Sequence, residues 1–336
     1  MQPLGSLTRG AQLRRLRRVL PEVYASYGLI QPTARLLRYE DNAVYVIVSG
    51  DGRRTLRLSI RNGRTTDEQV SELRWMEALL RDSRVRVPCP VPTRFGAPVV
   101  DVDSPHLEVA TTAVMFEWIP GKIPPRGQMP SLAAKLGTVT AALHDHAAGF
   151  APPEGFTRPS WSPAAVFHHA DSATDTLSGP NAAWLTGDSK TLDAVCDATL
   201  QAIGTDLDQG LIHADLYREN VIVTPDGGVA LIDFDDCGWG PFMLDIATML
   251  SSARRAFVEQ PAYHRFATSY LEGLSRGAAT SGGHAQHHRV SGNARHDHRQ
   301  LHLGLRQPHG GHLGTGSDRW DPSPISGPPG HRPLPR

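Results

Sequence analysis

The chain has 336 residues, 40% of them hydrophobic, so it is long enough for one large domain or two lobes that share a cleft. Its 34 basic and 34 acidic residues give a net charge of zero, which excludes the broad positive field expected for a nucleic-acid partner. The three cysteines are widely spaced, no apolar run reaches about 18 residues, and no apolar stretch follows the N-terminal arginines. These features predict a cytoplasmic protein with no disulfide framework, membrane span or secretory signal.

The first predicted elements are a basic helix and a strand-rich region. Residues 11–20 place three leucines on one side, which predicts a docking helix or a frayed terminus rather than a membrane anchor. Residues 34–61 are rich in β-branched and aromatic residues around a turn at Ser49–Gly52, which predicts paired strands. From Thr66 to Arg81 the apolar residues recur at spacings of three and four, which predicts a helix capped by Thr65 or Thr66.

The rest of the chain divides into regions of different character. Residues 109–119 predict another buried strand, and residues 132–148 another helix. The predicted class is α+β, with an N-terminal extension (1–24), a small β-rich N-lobe (25–120) and a larger helical C-lobe (121–275). Residues 276–336 are dominated by Gly, His, Pro, Arg and Ser without apolar period, which predicts a disordered or out-of-frame tail.

A hairpin in the stretch from 210 to 250 carries the strongest chemical signal. Residues 221–223 and 229–232 read as two strands around a Thr-Pro-Asp-Gly-Gly turn. If Val221 pairs with Ile232, Asn220 lies opposite Asp233, and an amide oxygen and a carboxylate sit side by side. Mg²⁺ prefers such hard oxygen ligands, so Asn220 and Asp233 are the predicted metal ligands.

Asp215 precedes Asn220 by five residues, in a loop that can turn it toward the same point. A carboxylate there can orient a substrate hydroxyl and accept its proton. The pattern His213-x-Asp215-Leu216-x-x-x-Asn220, followed by Asp233-Phe234, is typical of a kinase catalytic loop and its metal-binding Asp. His213 is interpreted as a buried stabiliser of the loop, since no third ligand supports a zinc site.

These motifs give the chain a recognisable likeness. Four segments carry this likeness: LIHADLYRENVIV, LIDFDDCGWGPFMLDIA, ALH at 142–144 and EDNAVYVI at 40–47. They resemble the aminoglycoside phosphotransferase superfamily, in the branch with homoserine kinase type II and a bacterial stress-response Ser/Thr kinase. The resemblance covers roughly residues 25–275. It implies a bilobal protein-kinase-like fold with ATP between the lobes, Asp215 as catalytic base, and Asn220 and Asp233 as Mg²⁺ ligands. It also implies that Asp245 braces the catalytic loop, although a plain helix cap would explain that residue equally well.

The resemblance also assigns residues to the nucleotide. Arg57 would take the place of the phosphate-binding lysine and pair with Glu72, the alternative being a surface arginine beside a solvated glutamate. The loop containing Asn42 would lie over the phosphates. Glu117 and Ile119 would bond adenine through the backbone of the interlobe hinge. A P-loop is absent, and the eleven residues between Asp233 and Asp245 are too few for a regulated activation loop.

The sequence thus predicts an ATP- and Mg²⁺-dependent phosphotransferase acting on a hydroxyl of a small molecule, such as an amino alcohol, a sugar or an aminoglycoside-like compound. The alternatives are a Ser/Thr protein kinase of the stress-response type and a degenerate relative that binds nucleotide without turnover. Asp235 and Asp236 would either attract an amine-bearing acceptor or serve as structural hydrogen-bond acceptors. No motif in residues 150–205 or beyond 250 identifies the acceptor, and the oligomeric state is open.

Overall fold

An antiparallel sheet with helices packed on it forms the N-terminal half of the protein. The computed structural model describes residues 3–50, 52–60, 63–161, 208–257 and 259–280. The sheet has the strand order β1-β2-β3-β6-β4, and β5 pairs with the remaining part of β6. Its strands are β1 (Thr33–Tyr39), β2 (Asn42–Ser49), β3 (Gly52–Ser59), β4 (Pro90–Val91), β5 (Val100–Val102) and β6 (Thr111–Glu117).

Helices α1 (Arg9–Ser26) and α2 (Thr66–Asp82) join this sheet. The apolar side of α1, with Leu16 and Val23 almost fully buried, belongs to the same hydrophobic cluster as the inner side chains of β2 and β3. The basic N-terminal helix is therefore part of the core of this lobe. Thr65 caps α2 through a reciprocal capping box with Glu68, as the sequence predicted for one of its two candidate caps.

The C-terminal half is mainly helical and carries two short β-ribbons. Its helices are α3 (Met129–Gly149), α4 (Phe242–Ala256) and α5 (Gln260–Thr280). Strands β7 (Gln209–Ile212) and β10 (Gly238–Pro241) form one ribbon, and β8 (Val221–Val223) and β9 (Val229–Leu231) form the other. One hydrophobic cluster joins α2 with α3, α4, α5 and both ribbons, so the two halves share a core.

The predicted α+β kinase-like fold is confirmed. The predicted tail (276–336) begins too early, because residues 276–280 belong to helix α5. The rest of the tail and most of the predicted specificity region lie outside the described residues. No helix among the described residues is long and apolar enough to cross a membrane.

Helices α3 and α5 approach each other at glycines. A Cβ placed on Gly137 would lie 2.0 Å from the carbonyl oxygen of Tyr270, and one on Gly273 would lie 2.0 Å from the carbonyl oxygen of Ala134. Both clashes are with backbone atoms, which cannot rotate away. The two helices therefore depend on glycine at these contacts to reach their observed separation.

We expect Gly137→Ala to destabilise the protein. Alanine is the better helix former by about 1 kcal/mol, but forcing two backbones apart costs more than the typical overpacking penalty of about 1–3 kcal/mol. Urea unfolding should therefore show a net loss of about 2 kcal/mol or more. Gly149→Ala, at the open end of the same helix with no atom within 4 Å of the new Cβ, is the control and should be neutral or stabilising. A neutral Gly137→Ala would show that the helices can separate freely.

Candidate active site

The loop between β7 and β8 brings Asp215 and Asn220 into direct contact. Asn220 donates from Nδ2 to Oδ2 of Asp215 at 2.6 Å and to the Asp215 carbonyl oxygen at 2.8 Å. Burial raises the pKa of Asp215, while its electrostatic interaction with His213 and the hydrogen bond from Asn220 oppose that rise. The carboxyl group is therefore fixed in orientation, and its pKa lies on the basic side of an ordinary aspartate, as a proton acceptor requires.

His213 supports this loop without being available for chemistry. Its ring is fully buried, and its Nε2 lies 3.0 Å from the carbonyl oxygen of Ile232, which can only accept, so Nε2 carries the proton. The other nitrogen, Nδ1, accepts from the backbone N–H of Asp215 at 3.3 Å. Both ring nitrogens are occupied, which matches the interpretation of His213 as a loop stabiliser.

Asp245 on α4 holds the start of the loop in place. Its carboxylate accepts from the backbone N–H groups of His213 (3.0 Å) and Ala214 (2.8 Å) and from Nε2 of His144 on α3 (3.1 Å). Ala214 adopts a left-handed backbone with φ of 65°, which is strained for alanine and needs such support. Asp245 lies in the first turn of α4 but does not cap it, since the N-cap position is Pro241. The alternative of a plain helix cap is therefore wrong.

We expect Asp245→Asn to be strongly destabilising. Burial opposes ionisation of Asp245, but its hydrogen bonds and the charge of His144 hold its pKa below the usual range. The stabilisation is therefore present above the unfolded-state pKa of about 3.9 and is lost as pH falls through the lower folded-state pKa. An amide cannot accept all three bonds, so the variant should lose about 3 kcal/mol at pH 7.

Chemical denaturation at pH 7 measures this loss. The control is Glu272→Gln, an exposed helical carboxylate 3.9 Å from Arg276, which should change stability by less than about 0.5 kcal/mol. Equal stability of the two variants would show that Asp245 is dispensable to the loop.

The β8–β9 hairpin differs from the predicted register by one residue. Val221 pairs with Leu231, so Asn220 lies opposite Ile232. The backbone carbonyl oxygen of Asn220 accepts the backbone N–H of Ile232 at 3.0 Å. The turn causes this difference. The Thr224 N–H donates to the Gly228 carbonyl oxygen, so the loop contains only residues 225–227, and its last residue, Gly227, has a left-handed backbone. The expected pairing of Asn220 with Asp233 is therefore wrong.

Asp233 reaches the site by a different route. The strand has ended before it, and its backbone is left-handed, with φ of 67° and ψ of 62°. This conformation is unusual for a residue other than glycine and breaks the alternation that would otherwise set the direction of the side chain. Its carboxylate lies 3.4 Å from Arg38 and interacts electrostatically with Arg57 and His213.

Asn220 and Asp233 have the properties expected of ligands for a hard divalent cation. Oδ1 of Asn220 is buried without a hydrogen-bond partner, although its Nδ2 is fully engaged. Burial raises the pKa of Asp233 to about 6, against the opposing charges of Arg57 and Arg38, while 28% of its side-chain surface stays open. The Asn220 amide oxygen accepts no hydrogen bond, and the two arginines do not fully offset the burial of the Asp233 carboxylate. Both features fit a Mg²⁺ site.

Arg57 and Glu72 form a buried ion pair between β3 and α2. The guanidinium donates to both oxygens of Glu72, at 2.8 and 2.6 Å, and lies 3.7 Å from Asp235. The side chains are only 4% and 0% exposed, so the alternative of a surface arginine with a solvated glutamate is wrong. The pair fixes α2 against the sheet.

The ends of β1 and β2 that flank their connecting turn contact the C-terminal half at two points. Asn42 donates from Nδ2 to Asp235 at 3.0 Å, and Arg38 lies 3.4 Å from Asp233. Asp236 is paired with Arg64 at 3.0 Å. Asp235 and Asp236 therefore act as structural acceptors, which was one of the two interpretations of this acidic pair.

The predicted hinge residues follow directly from β6. Glu117 is its last residue, donates its backbone N–H to the Cys89 carbonyl oxygen at 2.8 Å and meets Arg54 at 3.5 Å through its side chain. Ile119 lies two residues beyond, half-buried. Any contact of Glu117 with a nucleotide would thus use its backbone carbonyl group rather than its side chain.

Two arginines of the site were missed by sequence reasoning. Arg38 contacts Asp233, as described above. Arg158 is buried and donates to the carbonyl oxygens of Cys237, Glu68 and Asp235, which ties the turn after Asp233 to α2. Both act across long stretches of sequence and lie in no motif. By contrast, His144 belongs to a motif that the sequence does show, the ALH triplet at 142–144.

Comparisons with known proteins identify the family. The model of the phosphotransferase enzyme family APH matches residues 33–280. A microcompartment-associated aminopropanol kinase is similar in structure, with a TM-score of 0.62 and 30% identity over 77% of this chain and 80% of that one. An amicoumacin kinase solved in complex with AMP-PNP, Ca²⁺ and Ami has a TM-score of 0.64 at 21% identity, covering 80% of each chain.

A homoserine kinase from Granulibacter bethesdensis is 28% identical over 190 residues, which span 54% of this chain and 54% of that protein. The family match covers most of the chain, including the catalytic loop, the hairpin and α4. The chain therefore belongs to the APH phosphotransferase enzyme family and is a phosphotransferase that acts on hydroxyl groups.

Proposed function

We propose that the protein is a cytoplasmic kinase that uses ATP and Mg²⁺ to phosphorylate a hydroxyl of a small molecule, with amino alcohols as the leading acceptor class. The observation that carries this proposal is the contact of Asn220 with Asp215, which leaves the Asn220 amide oxygen buried without a partner, while Asp215 and Asp233 both interact electrostatically with His213 and Arg38. Aminopropanol and homoserine, the substrates in the names of two relatives, each carry an amine near the hydroxyl.

In this proposal Asp215 acts on the acceptor. Its carboxylate, held by Asn220, accepts a hydrogen bond from the acceptor hydroxyl and aims the oxygen at the terminal phosphorus of ATP. A new O–P bond forms, the bond from phosphorus to the bridging oxygen breaks, the electron pair leaves with ADP, and the hydroxyl proton passes to Asp215. The step depends mainly on positioning and charge, which this short set of residues supplies.

Asn220 and Asp233 would hold the Mg²⁺, which neutralises phosphate charge when bound. Arg57 would support the nucleotide side of the cleft through Glu72 and Asp235, since both of its terminal nitrogens are engaged with the glutamate. The loop at Asn42 would lie over the phosphates, and the backbone of Glu117 and Ile119 would bond adenine. These assignments follow the resemblance.

An acceptor screen tests the proposal. Purified protein is incubated with Mg·ATP and a panel of amino alcohols, sugars and aminoglycosides, and ADP release and phosphorylated product are measured by coupled assay and mass spectrometry. We expect acceptor-dependent ADP release that EDTA abolishes, greatest for an amino alcohol. A parallel incubation with radiolabelled ATP and cell lysate measures label on proteins. Label on protein bands with none in small molecules would favour a protein kinase instead, and no turnover with intact nucleotide binding would favour a degenerate relative.

A further inference from the structure

Arg38 lies at an irregularity near the end of β1. Leu36 pairs with Tyr45 and Arg38 with Val44, so Leu37 is an extra residue in the strand. A bulge of this kind bends a strand and re-aims the side chains after it, and bulges are frequent beside active sites. In this protein the side chain that follows the extra residue is a cation directed at the cleft.

The Arg38 guanidinium connects the β1–β2 loop with the acids of the site. Its Nε and Nη2 lie 2.8 and 2.6 Å from Oε2 of Glu40, and its Nη1 lies 3.4 Å from Oδ2 of Asp233. Its charge also acts on Asp215. One guanidinium is therefore close enough to influence both the proposed base and the proposed metal ligand.

The other arginine near Asp233 is not available in the same way. Arg57 uses both terminal nitrogens on Glu72, lies 3.7 Å from Asp235 and is 4% exposed. Arg38 also has an ion-pair partner, Glu40, but their side chains are 41% and 63% exposed, so water screens this pair and an anion can displace it. Of these two arginines, Arg38 is the one placed to bind an incoming anion.

A divalent ion bound by Asp233 would weaken its contact with Arg38. A guanidinium and a divalent cation repel each other, and the Arg38 contact is a single one at 3.4 Å. A metal–triphosphate complex held by Asp233 would bring new phosphate oxygens that Arg38 could bind instead. The planar fork of arginine matches phosphate oxygens as well as it matches a carboxylate.

We propose that Arg38 binds the terminal phosphoryl group of the nucleotide, and that Asp233 serves as its partner only while the nucleotide is absent. This inference rests on the proposed function. Arg38 would then stabilise the negative charge on the phosphoryl oxygens during transfer, at the open side of the cleft, where Arg57 does not reach. The ligand class is a nucleoside triphosphate with its divalent cation.

Arg38→Gln tests this with binding measurements that need no turnover. Because Arg38 competes with metal for Asp233 but attracts the terminal phosphate, its removal should have opposite effects on two ligands. We expect Mn²⁺ alone, followed by electron paramagnetic resonance, to bind about 3-fold tighter. Mg·AMP-PNP should bind about 10-fold weaker by calorimetry, whereas Mg·ADP, which lacks the terminal phosphate, should change by less than about 2-fold.

Two further variants complete the test. Arg35→Gln removes the same charge from an exposed position of the same strand and should change none of the three affinities. Arg38→Lys keeps the charge without the fork and should recover part of the AMP-PNP affinity; it also replaces Arg38→Gln if that variant does not fold.

The outcomes separate the inference from the proposed function. If the wild-type protein binds Mg·AMP-PNP and Arg38→Gln binds it equally well, or loses ADP affinity to the same extent, the role of Arg38 is wrong while the kinase proposal stands. If the wild-type protein binds neither nucleotide, both are wrong. Tighter Mn²⁺ binding together with selective loss of AMP-PNP affinity supports both.

Discussion

Asp215→Asn is expected to reduce kcat by about 1,000-fold while leaving Mg·ATP affinity within about 3-fold of the wild-type value. General-base catalysis by a positioned carboxylate typically contributes about 10²–10⁴ to the rate, and an amide cannot take the proton. The side-chain oxygen of asparagine can still accept the hydrogen bond from Asn220, which is 2.6 Å long in the wild-type protein, so the loop should keep its shape. Steady-state kinetics with the best acceptor and calorimetry with Mg·AMP-PNP measure the two quantities.

Glu219→Gln is the matched control for this substitution. Glu219 lies in the same loop, is exposed and pairs with Arg218 at the surface, so its neutralisation should leave kcat nearly unchanged. An Asp215→Asn enzyme with more than a tenth of the wild-type kcat would remove Asp215 from the role of base. A joint loss of activity and nucleotide affinity would instead indicate that the substitution disturbs the loop.

Local patterns in the sequence were sufficient to predict most of the fold. The strands of the N-terminal sheet follow from runs of β-branched and aromatic residues, and the start of α2 follows from a threonine and a glutamate three residues apart, which bond each other reciprocally in the structure. The short spacing of Asp215 and Asn220 likewise placed them in contact, because five residues of one loop leave little freedom. Patterns of this range predict well because the residues that interact are neighbours in the chain.

The remaining features of the site depend on contacts that no local pattern encodes. The hairpin register was wrong by one residue because it depends on turn geometry: the Thr224 N–H bonds the Gly228 carbonyl oxygen, which leaves only residues 225–227 in the loop. The contacts of Arg38 with Asp233 and of Arg158 with Asp235 join residues far apart in sequence. Asp233 reaches the cluster through a left-handed backbone, which its residue type alone does not indicate.

Asp233 is an acid at a position where the stability of the folded protein disfavours its charged form. Asp233 lies near Asp235, and its pKa of about 6 shows that the folded protein resists its ionisation despite the two arginines nearby. The unfolded-state pKa of an aspartate is about 3.9, so the charged form costs folding free energy at pH 7. A carboxylate retained at such a cost is typical of a functional site rather than a structural one.

Asp233→Asn should therefore change stability and binding in opposite directions. Removing the charge should stabilise the metal-free protein by about 1 kcal/mol, allowing for the partial exposure of the side chain and the lost contact with Arg38. That corresponds to a rise in Tm of about 2–4 °C. The same change removes the proposed charged ligand, so the affinity for Mg·AMP-PNP should fall by about 100-fold, or about 2.7 kcal/mol.

Differential scanning calorimetry with and without Mg·AMP-PNP measures both effects on the same sample. The wild-type protein should gain thermal stability from the ligand, because a ligand that binds only the folded state stabilises it, whereas Asp233→Asn should gain almost none. Asp226→Asn, an exposed acid in the turn of the same hairpin, should respond to the ligand as the wild-type protein does. A variant that is less stable without ligand but still responds to it would mean that Asp233 is a structural acid, and the metal would then have to be held by other groups.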